Sequence, residues 1–220
     1  MNKNNIQLVI FDLDGTLIDA YRAVYESINF AMAQKGFPGV SAQAIRRSVG
    51  WGDRHLIEKF VGKENLENVL AVYRRHHRLS LKRATTLLPG ALKLLQGLKK
   101  NKYKIAVASN RPTRFSLIIL KQLKIRKYFD YVLCADKLKN GKPHPEILQK
   151  ILKRFCLKPH EAFYVGDMTI DLQAGARARV KTIGVATGSC TQKELARCKP
   201  YAIVARVDQV RKFLSSTKSN

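Results

Sequence analysis

At 220 residues and 45% hydrophobic content, the chain has enough material for one large domain or a domain carrying an insertion, and disorder is excluded as the default. No apolar run reaches the length of a membrane span or a secretory leader, so a cytoplasmic protein with no membrane partner is expected. The formal charge of +25 is spread along the chain instead of gathering in a stripe or tail, which predicts a solvated basic surface with weak, nonspecific nucleic-acid binding and no specific nucleic-acid partner.

The first predicted strand is the apolar run 8–11, which ends on Asp12-Leu13-Asp14-Gly15-Thr16. Residues 19–88 then show helical periodicity and no convincing strand. A helix over 21–35 is stopped by Gly36, and a second over 41–48 begins on Ser41 as N-cap. Gly50-Trp51-Gly52 breaks the chain before further helices at 54–61 and 66–83. From Pro89 onward, strand-length runs at 105–108, 131–134, 163–165, 182–185 and 202–204 alternate with helical patterns at 91–98, 115–123 and 146–155. That alternation predicts an α/β fold: a Rossmann-like, doubly wound parallel sheet from residues 1–18 and 89–220, with residues 19–88 inserted as a helical cap domain. The polar stretch 215–220 is a short tail. The cysteines, Cys134, Cys156, Cys190 and Cys198, have no metal-like spacing and read as reduced, mostly buried apolar residues.

Chemistry-bearing residues fall at strand ends, where open α/β sheets bind ligands. Asp12 and Asp14 lie two apart, so an extended backbone turns both carboxylates to one face. Ser109 and Asn110 follow the second strand of the sheet and offer a hydroxyl and an amide to an anion. Lys142 is pinned between Gly141 and Pro143 as a placed cation, while His144 reads as a loop or substrate-adjacent residue and not a catalyst. Asp167 and Asp171 lie four apart at a helix start. Of 16 acidic residues, four sit at the ends of two strands, a concentration that calls for a hard divalent cation such as Mg²⁺.

In that order these segments resemble the four motifs of the haloacid dehalogenase superfamily of phosphohydrolases, over the whole chain. Gly15-Thr16-Leu17-Ile18-Asp19, Ser48-Val49-Gly50-Trp51-Gly52 and Lys142-Pro143-His144-Pro145-Glu146 are most similar to its phosphoglycolate phosphatase-like members. The resemblance implies a Mg²⁺-dependent phosphatase of small phosphorylated metabolites, acting as a monomer or homodimer. Asp12 would be the nucleophile forming an aspartyl-phosphate, and Asp14 the acid and then the base. Lys142, Ser109, Asn110 and backbone N–H groups near Leu13 and Asp14 would hold the phosphate. Asp12, the Asp14 carbonyl and Asp167 would ligate Mg²⁺, with Asp171 either a further ligand or a support for Asp167 and Lys142. In the cap, Trp51 is a candidate lid and Arg47, with Arg46 and Arg54 nearby, a candidate for a second anionic group of the substrate. Arg111 departs from the lysine that similar proteins often carry after the second motif. A sugar-phosphate mutase, a pyrophosphatase or nucleotidase, and a basic nucleic-acid-binding protein on a phosphatase scaffold are the alternatives.

Overall fold

Residues 6–214 are described by a computed structural model. In chain order they form β1 (Leu8–Phe11), β2 (Ile18–Asp19), α1 (Tyr21–Gln34), α2 (Ala42–Arg46), α3 (Asp53–Arg83), β3 (Thr86–Leu87) and α4 (Ala91–Lys100). There follow β4 (Lys104–Ser109), α5 (Thr113–Gln122), β5 (Tyr131–Cys134), α6 (Glu146–Phe155), β6 (Ala162–Gly166), α7 (Thr169–Arg177), β7 (Lys181–Val185), α8 (Gln192–Arg197) and β8 (Ala202–Val204). The tail at 215–220 lies outside the described residues.

Every residue of β1 is buried, as expected of a strand with helices on both faces. The side chains alternate accordingly. Val9 and Phe11 join Ile105, Val107, Phe163 and Val165 in one core, closed by Leu94, Leu95 and Leu98 of α4 and Phe115 and Ile119 of α5. Leu8 and Ile10 point the other way, with Ala106, Ala108 and Tyr164, against Ile147, Leu148 and Ile151 of α6 and Ala174 of α7. The sheet order is β5-β4-β1-β6-β7-β8, all neighbours parallel. The chain winds outward from β1 first to one side and then to the other. The carboxyl ends of β4, β1 and β6 therefore meet at the switch point, which is where a crevice must form.

The helical interval has a core of its own, in which Val24, Ile28 and Met32 of α1 pack on Leu56, Val69, Leu70 and Tyr73 of α3. Ser41 caps α2 by accepting from the Ala44 N–H at 3.2 Å. α3 is interrupted at Gly62, whose φ of 76° and ψ of 172° are not helical, so the expected break between two helices is present. One expectation fails. The interval is not free of strand: Ile18 pairs antiparallel with Leu87, and Asp19 with Thr86, in a ribbon that joins the helices to the sheet. Two-residue strands are too short to carry an alternating pattern, so periodicity does not reveal them. The cysteines are unpaired thiols, but contrary to the expected burial only Cys134 is buried; Cys190 and Cys198 are partly exposed, and Cys156, in the left-handed position that ends α6, is exposed.

Candidate active site

β1 delivers Asp12 to the centre of the carboxyl edge, and the chain then turns at once. Leu13, fully buried, accepts from the N–H groups of Thr16, Leu17 and Ile18 through its carbonyl, and Gly15 takes φ of 78°. A Cβ at Gly15 or at Gly188 would run into the Asp167 carboxylate. Two glycines thus let the backbone close around that acid. Thr16 Oγ1 donates to Asp167 at 2.9 Å, and the Ser189 N–H donates to it at 3.3 Å.

Lys142 arrives on the loop after β5, with a cis bond to Pro143, and is buried among four acceptors. Its Nζ shares three N–H groups among Asp12 at 2.7 Å, Asp171 at 2.7 Å, the Ala108 carbonyl at 3.1 Å and the Tyr164 hydroxyl at 3.1 Å. Burial opposes the charge, but Asp12 and Asp171 outweigh it and hold the ammonium above the usual lysine range. Asp171 Oδ1 also accepts from Tyr164 at 2.7 Å, and its Oδ2 accepts from the Met168 N–H at 3.0 Å.

Asp12, Asp167 and Asp171 each place a carboxylate oxygen within 4.8 Å of the others, all three being buried. Burial, partly offset by Lys142, pushes Asp12 up to about 7. Burial and the charges of Asp171 and Asp12 push Asp167 well above the carboxylate range. One lysine does not neutralise three buried acids, and clustered hard oxygens are the donor set of a divalent cation. The residues present fit such an ion.

Asp14, half-buried, lies beside this cluster and is clasped by Arg111, whose Nε and Nη2 donate to its two oxygens at 2.8 and 2.7 Å. Burial works against the guanidinium charge and Asp14 more than restores it. Sequence reasoning set Arg111 aside as a departure and did not single out Tyr164 or Gly188. The available signals were an arginine directly after Ser109-Asn110 and a tyrosine at an inward position of β6.

The remaining expectations divide. Ser109 and Asn110 line the pocket with Asp12, Asp14 and Lys142, around about 680 Å³ of space that opens to solvent. The Asn110 amide does not face an anion, however. It donates to Gly50 O at 2.9 Å and Lys142 O at 3.0 Å, and its oxygen accepts from the Lys142 N–H at 2.8 Å, tying three loops together. Trp51 is 47% exposed and lines, with Arg54, Arg74 and Arg114, a cavity that adjoins the pocket and shares Gly52, Asp53, Asn110 and Pro112 with it. The cause is local: left-handed Gly50 and Gly52 turn their backbone to the pocket, where a Cβ on Gly50 would strike Met168, and the ring goes outward beside His55. Arg47 is exposed at the end of α2, outside the pocket lining, and its charge acts on Glu194. Arg46 bonds the Gly188 carbonyl at 2.8 Å and Arg54 pairs with Glu67 at 2.5 Å. His144 accepts from the Glu146 N–H at 3.2 Å, a loop contact.

A parallel sheet with a buried cluster of Asp12, Lys142, Asp167 and Asp171 at its switch point is the arrangement of a phosphoryl-handling hydrolase. The chain belongs to the haloacid dehalogenase-like hydrolase family, whose model matches residues 9–185. It is 29% identical over 207 residues to phosphoglycolate phosphatase 1 of Pseudomonas aeruginosa, covering 90% of this chain and 76% of that protein. With the phosphoglycolate phosphatase of Aquifex aeolicus it shares 31% identity over 177 residues, 80% of this chain and 83% of the other. A crystal structure described as a predicted phosphoglycolate phosphatase from Haemophilus somnus superposes with a TM-score of 0.85 at 26% identity, covering 94% of this chain and 97% of that one. The chain is a phosphoric monoester hydrolase. Among the described residues, no helix is long and apolar enough to cross a membrane.

Proposed function

We propose that the chain hydrolyses small phosphate monoesters through an aspartyl-phosphate on Asp12, with phosphoglycolate as the first candidate substrate. The observation that carries this reading is the single ammonium of Lys142 set 2.7 Å from both Asp12 and Asp171. It opposes the burial that favours protonation of Asp12, and an anionic oxygen is what attacks phosphorus. Asp171 has both oxygens engaged by Lys142, Tyr164 and the Met168 N–H, so its part is to hold Lys142 in place. Asp14, at the pocket wall, gives a proton to the departing alcohol oxygen and then takes one from the water that hydrolyses the acyl phosphate. Lys142, the Ser109 hydroxyl and the N–H groups of Leu13, Asp14 and Asn110 receive the transferring oxygens.

Asp12, Asp167 and the Asp14 carbonyl would hold a divalent ion, Mg²⁺ by the hardness of its donors. When bound, it supplies charge neutralisation for the transferring phosphoryl group. Residues 1–18 and 89–220 serve as the catalytic core, and 19–88 as the cap that limits the leaving group. The pocket wall on that side sets Val24, Val49 and Leu56 beside Tyr21, Asp53 and Tyr73. The phosphatase names of the relatives support hydrolysis over phosphoryl return to the substrate. The test is a screen of phosphate metabolites with Mg²⁺, ranked by kcat/KM. Phosphoglycolate near the top supports the assignment, and turnover of isomers without phosphate release contradicts it.

A further inference from the structure

Behind Arg111 the side chains continue into the helical insertion. The third guanidinium nitrogen, Nη1, lies 2.8 Å from Nε2 of His77 on α3, and that ring's Nδ1 lies 3.0 Å from Ser27 Oγ on α1. The direction of each bond follows from the proton count. A guanidinium only donates, so His77 Nε2 accepts from Arg111 and the ring's proton sits on Nδ1, facing Ser27 Oγ, which itself donates to the Ala23 carbonyl at 2.7 Å and also lies 3.2 Å from His76 Nδ1. Burial, and next the charge of Arg111, hold this histidine well below its usual range, in keeping with a neutral ring. The imidazole is fully buried, stacked on Tyr73 with centroids 4.8 Å apart and met by the edge of Phe115 at 5.1 Å.

A guanidinium held only by Asp14 could rotate about its long side chain. Three contacts from two sides fix its plane, and the plane of a bidentate guanidinium sets that of the carboxylate. We propose that His77 is a positioning residue: it fixes Arg111, and through Arg111 it aims the Asp14 carboxyl at the leaving-group oxygen. The catalytic edge of the sheet is therefore completed by a side chain of the helical insertion. This proposal rests on Asp14 serving as the acid.

The experiment compares kcat/KM for an alkyl monoester, glycerol phosphate, with that for p-nitrophenyl phosphate in wild type, Asp14→Asn, His77→Phe, His77→Gln and Ser27→Ala. An alkoxide needs the proton on departure and nitrophenolate does not, so loss of aim falls on the alkyl ester. His77→Phe keeps the ring packing and removes the lone pair. It should lower kcat/KM for glycerol phosphate roughly tenfold and for the aryl ester less than roughly threefold. His77→Gln, whose carbonyl oxygen accepts from Arg111, should recover most of the loss. Ser27→Ala, which removes the oxygen facing Nδ1, should discriminate in the same direction if His77→Phe does not fold. Equal losses on both esters in the His77 and Ser27 variants, with Asp14→Asn still discriminating, would overturn the role of His77. Equal losses in Asp14→Asn itself would overturn the acid role beneath it.

Discussion

Arg111 holds both carboxylate oxygens of Asp14, at 2.8 and 2.7 Å, although the two residues lie 97 positions apart. A lysine there would keep the charge and lose the fork. Arg111→Lys should therefore lower kcat roughly 10- to 100-fold while leaving the fold intact, because a point charge does not fix the carboxylate plane. Steady-state kinetics with a thermal melt on the same samples checks this. Full activity in the lysine variant would mean that only the charge matters.

Tyr164 places its hydroxyl between Lys142 and Asp171. Tyr164→Phe removes that oxygen and keeps the ring, so the protein should lose about 1–2 kcal/mol of stability. The direct Lys142–Asp171 pair remains, and kcat should fall severalfold with KM little changed. Denaturant unfolding and kinetics together read both effects.

How much of this was legible beforehand varies by residue. Asp12, Lys142, Asp167 and Asp171 stand at strand ends, and the strands are short apolar runs whose order fixes what they bring together. Partners reached across the fold were not legible. Hydrophobic period says that one face of the helix carrying His77 is inward, not that Arg111 waits there. Asn110 shows the same limit in reverse: its position was correct, but its amide is used on Gly50 and Lys142. Neighbourhood in sequence points to Trp51 and Arg47, but two left-handed glycines set Trp51 in the adjoining cavity and the end of α2 leaves Arg47 outside the pocket lining.

Gly188 lies against the Asp167 carboxylate with no room for a Cβ. Gly188→Ala should displace that acid and raise the Mg²⁺ concentration for half-maximal activity roughly tenfold or more. Its own φ is outside the left-handed region, so the backbone tolerates alanine and the effect is local. A Mg²⁺ titration of activity measures it.

The metal-free protein should lose stability as pH rises toward neutrality. Asp12 sits at about 7 in the fold against 3.8 as its ordinary value, so between those limits the folded state binds more protons than the unfolded one. Stability contributed by the protonated acid is complete below the lower value and is lost as pH rises through the upper. A divalent ion reverses the preference by favouring the carboxylate. Mg²⁺ should thus raise Tm more at pH 7.5 than at pH 5, and an equal rise at both would contradict ion binding at Asp12.

The phosphoryl group is proposed to pass through Asp12, whose anionic form Lys142 favours against burial. Acid quenching during turnover of a phosphate ester with Mg²⁺, followed by peptide mass mapping, tests it most directly. One phosphoryl group is expected on the peptide containing Asp12, absent in Asp12→Asn along with activity. Phosphate release that persists in Asp12→Asn, or a phosphoryl group found on another residue, would contradict it.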